Sequence, residues 1–288
     1  MQVQPCALHT PHASPIGLRQ SPYLAYAECA ICALLSNAET LMMTDMIRAL
    51  VFDLDDTLVQ TERLKALSYA KAARELRPTV SEDDVLEAFK DVVGGARNEV
   101  AMALMQRFAL DAPALTRLAE MGLDHPWQVY LRLRQYHYDS ILADEGLLQR
   151  SVYPHNLELL RSVRGSGYKT GLATMSHCSA AQRVLDAIGA RDLLDMYVAR
   201  EDVERGKPDP EIYLLAAKLL GVTPQEALVI EDSPNGARAA LNAGMNVIVV
   251  TTPFTRQQFA REAIVDRRWI VDDPGDLRWV VNQALKND

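Results

Sequence analysis

The sequence lacks the features that mark secreted, membrane-spanning and nucleic-acid-binding proteins. Its 288 residues include four cysteines, and three of them, Cys6, Cys29 and Cys32, fall near the N-terminus, which is not the framework of a disulfide-stapled domain. No apolar run approaches the roughly 20 residues that span a bilayer. The formal net charge of −8 argues against electrostatic binding to nucleic acid or to an anionic membrane. We therefore expect a cytoplasmic protein with neither kind of partner.

The first 45 residues differ in composition from the rest of the chain. They contain four prolines before residue 23 and a single basic residue, Arg19, so a cleaved secretory signal is not expected. We interpret residues 1–45 as a poorly ordered N-terminal extension outside the fold. Its cysteines and histidines could bind a soft metal, but one Cys-x-x-Cys pair without a second pair is a weak signal.

The remaining chain predicts an α/β fold with a helical insertion. Residues 62–149 repeat apolar residues at helical spacing, with Ser81 as a candidate N-cap. Before and after this block, short apolar strands alternate with helices, which predicts a parallel sheet with helices on both faces. We expect a Rossmann-like three-layer α/β/α core (residues 46–64 and 150–288) and an inserted all-helical domain (residues 65–149).

Polar side chains occur where the predicted strands end or the helices begin. They are Asp53, Asp55 and Asp56 after the first strand, Thr174 after the second, Lys207 before a helix, and Glu231 and Asp232 after a later strand. The carboxyl ends of parallel strands meet at one edge of a sheet, where α/β proteins bind ligands. These groups can therefore converge, although they are far apart in sequence.

The chemistry of this set suits a phosphoryl group. The Asp53 carboxylate is a competent nucleophile towards phosphorus, and Asp55 is placed to act as acid and base. Each unit-charge repulsion between carboxylate and phosphate costs about 4 kcal/mol at about 4 Å and an effective dielectric of about 20. Mg²⁺ held by Asp53 and Asp232 would offset this repulsion together with Lys207. Thr174 can donate a hydrogen bond to a phosphate oxygen.

Each position also has a simpler interpretation. Thr174 could merely end a strand, Lys207 could be a surface lysine, and Glu231–Asp232 could begin a plain turn. A calcium loop is excluded because Leu58 and Leu64 stand where glycine and glutamate are needed. The occurrence of all four stretches in this order favours the catalytic interpretation.

The stretches "DLDDT", "LATMS", "GKPDPEIY" and "VIEDSPNGARAALNAGM" resemble the four motifs of the haloacid dehalogenase-like hydrolase superfamily, over residues 46–252. The inserted helices resemble the cap of the branch that contains phosphoglycolate phosphatase and β-phosphoglucomutase. The resemblance implies that Asp53 is the nucleophile and Asp55 the acid/base, and that Thr174 and Lys207 bind the phosphoryl group.

The resemblance also implies a cofactor, Mg²⁺. Its ligands would be the side chains of Asp53 and Asp232 and the backbone carbonyl of Asp55, with Glu231 assisting. The implied activity is a phosphatase that acts on a small phosphorylated metabolite through an aspartyl-phosphate. A catalytically silent binding module on the same fold is less favoured, because none of the motif residues is lost. We expect a monomer or a weak homodimer, with the segments 58–65 and 145–156 as hinges between core and cap.

The alternative activity is that of a β-phosphoglucomutase-like phosphotransferase. Arg97 resembles the substrate-contacting arginine of that branch, and Lys65, Ser176 and His177 occupy further candidate substrate-binding positions. Lys65 replaces a histidine of the mutases, and Ser176-His177-Cys178 replaces a Ser-Lys-Asn run that holds a second phosphate. These departures favour a hydrolase.

Overall fold

The structure, a computed structural model, describes residues 46–93 and 95–286. The predicted N-terminal extension therefore lies outside the described residues, and so do its candidate soft-metal ligands, Cys6, His9, His12, Cys29 and Cys32. No helix in the described ranges has the length and apolar character needed to cross a membrane.

Six parallel strands form one sheet in the order β3-β2-β1-β4-β5-β6. The strands are β1 (Ala49–Phe52), β2 (Lys169–Ala173), β3 (Met196–Val198), β4 (Ala227–Glu231), β5 (Asn246–Val250) and β6 (Ile270–Val271). In register, Phe52 pairs with Leu172 on one side and with Ile230 on the other. The ends of β1, β2 and β4 are therefore level, and the residues that follow them are side by side.

Helices cover both faces of the sheet. The helices of this core are α8 (Pro154–Gly165), α9 (Cys178–Ala187), α10 (Glu211–Leu220), α11 (Pro234–Asn242), α12 (Arg256–Arg261) and α13 (Leu277–Ala284). Leu50 and Phe52 of β1 pack with α8, α9 and α13, whereas Ala49 and Val51 pack with α10, α11 and α12. Because successive strand residues point to opposite faces, an unbroken apolar strand is buried on both sides. The predicted three-layer α/β/α class with a parallel sheet is confirmed.

Within the described residues, seven helices lie between β1 and α8. They are α1 (Thr61–Leu76), α2 (Glu82–Phe89), α3 (Arg97–Phe108), α4 (Asp111–Leu115), α5 (Leu118–Met121), α6 (Pro126–Ala143) and α7 (Glu145–Arg150). They enclose an apolar cluster of their own, centred on Tyr69 and Tyr130. We call these helices the cap. Short 3₁₀ turns occur in the core at Arg191–Leu193, Arg200–Asp202, Pro224–Glu226, Arg267–Trp269 and Pro274–Asp276.

Two details of the cap predicted from the sequence can be compared with its helices. The boundary expected at residue 65 falls inside α1, which begins at Thr61, and the division into domains stays a prediction. Ser81 precedes α2 as expected, but its hydroxyl makes no capping hydrogen bond. The three acidic residues in the first turn of α2 instead supply favourable charge at the helix N-terminus.

The two crossings between core and cap are paired with each other. Val59 forms an antiparallel bridge with Val152, Gln60 N donates to Ser151 O at 2.8 Å, and Tyr153 N donates to Leu58 O at 2.9 Å. The cap therefore leaves and rejoins the core at a single hydrogen-bonded junction.

Candidate active site

Strand ends bring three of the predicted residues into one buried ion cluster. Asp53 follows β1, and Glu231 ends β4 beside it. The Lys207 ammonium reaches between them, with Nζ at 2.6 Å from Asp53 Oδ1 and 2.6 Å from Glu231 Oε1. It also donates to the Ala173 carbonyl oxygen at 3.1 Å. The cluster is therefore tied to β1, β2 and β4 at once.

Both carboxylate oxygens of Glu231 are saturated with donors. Oε1 accepts from Lys207 and from the Tyr213 hydroxyl at 3.0 Å. Oε2 accepts from the backbone amides of Asp232 and Ser233, both at 2.9 Å, and from the Ser233 hydroxyl at 3.0 Å. Helix α11 can approach so closely only because it carries Gly236, where an added Cβ would lie 1.7 Å from Glu231 Oε1. Glu231 is thus a fixed anchor for Lys207.

The surroundings of the cluster raise the pKa values of both Lys207 and Asp53, which favours the charged form of the lysine and disfavours the charged form of the aspartate. Burial alone would lower the pKa of Lys207, but Asp53 and Glu231 raise it well above its ordinary range, so the ammonium stays charged. Burial raises the pKa of Asp53, and Lys207 offsets only part of that effect because Glu231 and Asp55 repel the charge. Further positive charge beside Asp53 would therefore stabilise its carboxylate form.

The described residues include one cluster suited to a divalent cation. Carboxylate oxygens of Asp53, Glu231 and Asp232 lie within 4.8 Å of one another. The pKa of Asp232 is raised well above its ordinary range by burial and then by Glu231, and neither of its carboxylate oxygens accepts a hydrogen bond from the described part of the chain. Hard carboxylate oxygens in this electron-rich setting fit Mg²⁺. Because Glu231 is already saturated, Asp53 and Asp232 are the available ligands.

Asp55 lies beside the cluster and is held by side chains from two segments, the loop after β2 and helix α1 of the cap. Its Oδ2 accepts from Ser176 Oγ at 2.6 Å and from Thr174 Oγ1 at 3.1 Å. Lys65 Nζ of the cap lies 3.8 Å from Oδ1. Burial raises the pKa of Asp55, but Lys65 and these hydroxyls outweigh it and lower the pKa overall. Asp55 is therefore stabilised as a carboxylate.

Asp56 has an unusual backbone conformation and a raised pKa. Its φ of +56° lies in the left-handed region, which Asp tolerates better than most residues. Oδ1 accepts from Glu62 N at 3.0 Å, whereas Oδ2 is buried without a hydrogen-bond partner in the described structure. Burial, followed by the charge of Glu62, raises the pKa of Asp56 to about 7.

A cavity of about 970 Å³ lies between the sheet edge and the cap. Asp53, Asp55, Lys207, Glu231 and Asp232 line it from the core. Across the cavity, the cap contacts the core through Phe254, whose ring meets Phe89 of α2 edge-on at a centroid distance of 6.3 Å. The predicted core residues are thus brought together beneath the cap.

The predicted substrate-binding residues are arranged less uniformly. Arg97 and Lys65 line the cavity, and Lys65 pairs with Glu62 at 2.6 Å. Ser176 faces Asp55, as described above. His177 Nδ1 lies 2.8 Å from Glu201 Oε1 on the exposed rim. The substrate-binding roles of these residues stay predictions.

Several residues of the site were not predicted from the sequence. Tyr213, Ser233 and Gly236 complete the surroundings of Glu231, and Arg134 of α6 lines the cavity from the cap. Two signals were available. A glycine three residues after Ser233 inside a predicted helix indicates a close approach of backbone to another group, and Arg134 falls on the apolar stripe of α6, four residues after Tyr130.

Comparison with known proteins places these residues in a family. The haloacid dehalogenase-like hydrolase family matches residues 47–244. A phosphoglycolate phosphatase of Rhodospirillum rubrum is 32% identical over 75% of this chain and 84% of its own length. An N-acetylmuramic acid 6-phosphate phosphatase of Pseudomonas aeruginosa is 30% identical over 83% of this chain and 96% of its own.

Solved structures show the same fold at lower identity. A β-phosphoglucomutase from Clostridium difficile has a TM-score of 0.57 at 22% identity, and covers 84% of this chain and 98% of its own. The CbbY protein of Rhodobacter sphaeroides, solved with phosphate, has a TM-score of 0.52 at 24% identity, and covers 81% and 96%. At these identities the likeness establishes the fold and leaves the reaction to the geometry of the site.

Proposed function

The chain belongs to the haloacid dehalogenase-like hydrolases, and from that premise we propose that it is a Mg²⁺-dependent phosphatase of small phosphorylated metabolites. The observation that carries the proposal is the buried Lys207 bridge between Asp53 and Glu231, with Asp55 held beside it. In this proposal Asp53 is the nucleophile, Lys207 the fixed cation and Asp55 the acid/base, and all three line the same cavity. Relatives named as phosphatases support the reaction class.

Asp53 acts as the nucleophile. One of its carboxylate oxygens attacks phosphorus, the bond from phosphorus to the ester oxygen breaks, and the leaving oxygen takes a proton from the carboxylic acid form of Asp55, whose lowered pKa makes it a stronger acid. A water molecule then loses a proton to Asp55 and attacks the aspartyl-phosphate, which releases phosphate and regenerates Asp53. The hydrogen bonds to Asp55 and the charge of Lys65 fix its orientation and favour the carboxylate that the second step needs.

Asp53, Asp232 and the backbone carbonyl of Asp55 would hold Mg²⁺, while Glu231 keeps Lys207 in place. Bound there, the ion would supply positive charge that offsets repulsion between these carboxylates and the substrate phosphate. Lys207 contributes a further fixed charge to the phosphoryl oxygens. Thr174 orients Asp55 through its hydroxyl, which adds a positioning role to the phosphoryl contact expected from sequence.

A hydrolase is preferred to a mutase on the contacts of two residues. His177, which stands where the mutases carry a phosphate-holding lysine, is engaged with Glu201 on the rim. Lys65, which replaces a mutase histidine, is engaged with Glu62 and Asp55. Neither arrangement provides a dedicated site for the second phosphate of a bisphosphate intermediate near the motif of β2.

The test is release of inorganic phosphate from p-nitrophenyl phosphate and from a panel of metabolite monophosphates in the presence of Mg²⁺. Asp53→Asn should reduce kcat by about 10³-fold or more, because the amide cannot serve as the nucleophile. Asp192→Asn, the same change at an exposed position, is the matched control and should retain full turnover. Wild-type rates in Asp53→Asn would refute the mechanism. Efficient bisphosphate-primed conversion of β-glucose 1-phosphate to glucose 6-phosphate, with little free phosphate, would establish the mutase instead.

A further inference from the structure

Tyr138 of α6 is a half-buried residue of the cap that lines the cavity. Its ring packs against the apolar cluster of the core that contains Leu54 and Leu142. The centroid of the ring also lies 4.5 Å from the guanidinium carbon of Arg134, one helical turn away. Contact with a cation and with the core cluster restrains the ring. The Tyr138 hydroxyl therefore has a defined place in the wall of the cavity.

The packing of α1 against α6 places Tyr138 close to Asp55. The two helices run in opposite directions, since α1 leaves the junction with the core and α6 leads back towards it. The guanidinium of Arg134 in α6 lies 5.2 Å from the ring centroid of Tyr69 in α1. One turn closer to the core, Tyr138 is therefore level with Lys65, whose Nζ lies 3.8 Å from Asp55 Oδ1. Tyr138 thus lies at the end of the cavity that contains Asp55.

The Tyr138 hydroxyl keeps its proton and can donate it in a hydrogen bond. Burial, followed by the charge of Asp55, raises the pKa of Tyr138 to about 12, so the phenol is neutral near neutral pH. Within the described residues, this hydroxyl forms no hydrogen bond. The hydroxyls of Ser176 and Thr174 at the same end of the cavity already donate to Asp55. Tyr138 can therefore offer its donor to a ligand.

We propose that Tyr138 is a further catalytic residue, whose hydroxyl donates a hydrogen bond to the ester oxygen of the substrate as that oxygen leaves. The inference rests on the proposed phosphatase activity and deepens it. Negative charge develops on the ester oxygen while its bond to phosphorus breaks, and a donor that is already in position stabilises this charge. The proton that the oxygen finally takes comes from Asp55, and the phenol keeps its own.

The test compares two esters of similar shape whose leaving groups differ in basicity, ethyl phosphate and 2,2,2-trifluoroethyl phosphate. Ethoxide is much the stronger base, so its departure depends more on a hydrogen-bond donor. In Tyr138→Phe we expect kcat/KM for ethyl phosphate to fall by about tenfold or more, the scale of one hydrogen bond to a charged group. For trifluoroethyl phosphate we expect a loss of about threefold or less. The value of kcat/KM includes the step in which the ester oxygen leaves.

Two controls separate the hydroxyl from the rest of the side chain. Tyr136→Phe removes the same group from an exposed position of α6 outside the cavity, and should leave kcat/KM unchanged for both esters. Tyr138→Phe keeps the ring beside Arg134, so its melting temperature should match that of the wild type. Tyr138→Leu removes the ring as well, and should lower the melting temperature.

The outcomes distinguish this inference from the phosphatase activity itself. Equal losses for the two esters in Tyr138→Phe would overturn the inference and leave the phosphatase intact. Wild-type rates in Tyr138→Phe, with a loss in Tyr138→Leu alone, would do the same, because the ring would then act only through packing. Absence of phosphate release from every ester by the wild-type protein would instead refute the phosphatase, and the inference with it.

Discussion

The two walls of the cavity differ in whether their buried charges have partners within the chain. At the sheet edge, Lys207 pairs with Asp53 and Glu231, and both oxygens of Glu231 have donors from its own chain. In the cap wall, Arg97 and Arg134 both line the cavity, and neither forms an ion pair within the described residues. The charges of the sheet edge are therefore largely paired within the chain, and only Asp53 and Asp232 need further positive charge. The cap wall lacks negative charge, which a ligand can supply.

Among the substitutions that test this difference between the walls, we expect Gly236→Ala to have the largest effect, and it acts on the sheet edge. The new Cβ would overlap Glu231 Oε1, at 1.7 Å, so either α11 or the carboxylate must move and Lys207 loses its anchor. We expect a loss in kcat of about 10²-fold and a destabilisation of about 3 kcal/mol, measured by phosphate release and by urea unfolding.

Gly165→Ala provides the control for that substitution. An added Cβ at Gly165 meets nothing within 4 Å, so stability and turnover should stay at wild-type values. Full activity in Gly236→Ala would show that Glu231 need not be fixed where the structure holds it.

Asp232→Asn tests the proposed Mg²⁺ site at the sheet edge and leaves the cap wall unchanged. It should raise the Mg²⁺ concentration for half-maximal turnover by about 10- to 100-fold, because one carboxylate ligand becomes neutral, and saturating Mg²⁺ should restore much of the rate. A rate defect that Mg²⁺ does not relieve would contradict a ligand role for Asp232.

The smallest effect concerns the pH dependence of stability. Because the pKa of Asp56 is raised in the fold to about 7, the native state binds its proton more tightly than the unfolded state. The stabilisation from this group is present in acid and is lost as pH rises towards about 7. Asp56→Asn removes the titration and tolerates the positive φ.

Urea unfolding in EDTA, at about pH 4 and at about pH 8, measures this effect. The free energy of unfolding of Asp56→Asn minus that of wild type should be larger, that is, shifted towards greater stability of the variant, at the higher pH. A difference that does not change between the two pH values would show that the Asp56 carboxyl titrates normally.

The residues of the sheet edge could be predicted because their positions follow directly from where the strands end. An apolar run buried on both faces identifies β1, and the residue after it must lie at the carboxyl edge with its counterparts after β2 and β4. Asp53, Glu231 and Asp232 therefore converge as the sequence indicates. What periodicity could not give is the partner of each side chain: the Thr174 hydroxyl donates to Asp55, a contact set by register and not by sequence spacing.

The cap wall could not be predicted in the same way. The helical pattern of α6 shows a stripe of apolar residues but does not say which neighbouring helix or cavity the stripe faces. Arg134 falls on that stripe between Tyr130 and Tyr138, four residues from each, and only the packing against Tyr69 of α1 shows it to be a wall residue. Arg97 was suggested by a family resemblance, and its neighbour Arg134 by the structure.

The paired junction between core and cap has a consequence for folding. Ala49 of β1 pairs with Lys169 of β2, 169 − 49 = 120 residues away, a separation that makes sheet formation slow if the chain between them is unstructured. Once the cap helices pack on their own apolar cluster, the bridge between Val59 and Val152 brings the two ends of that long segment together. The search that β1 must make for β2 is then shortened to the segments 53–58 and 153–168 on either side of the junction.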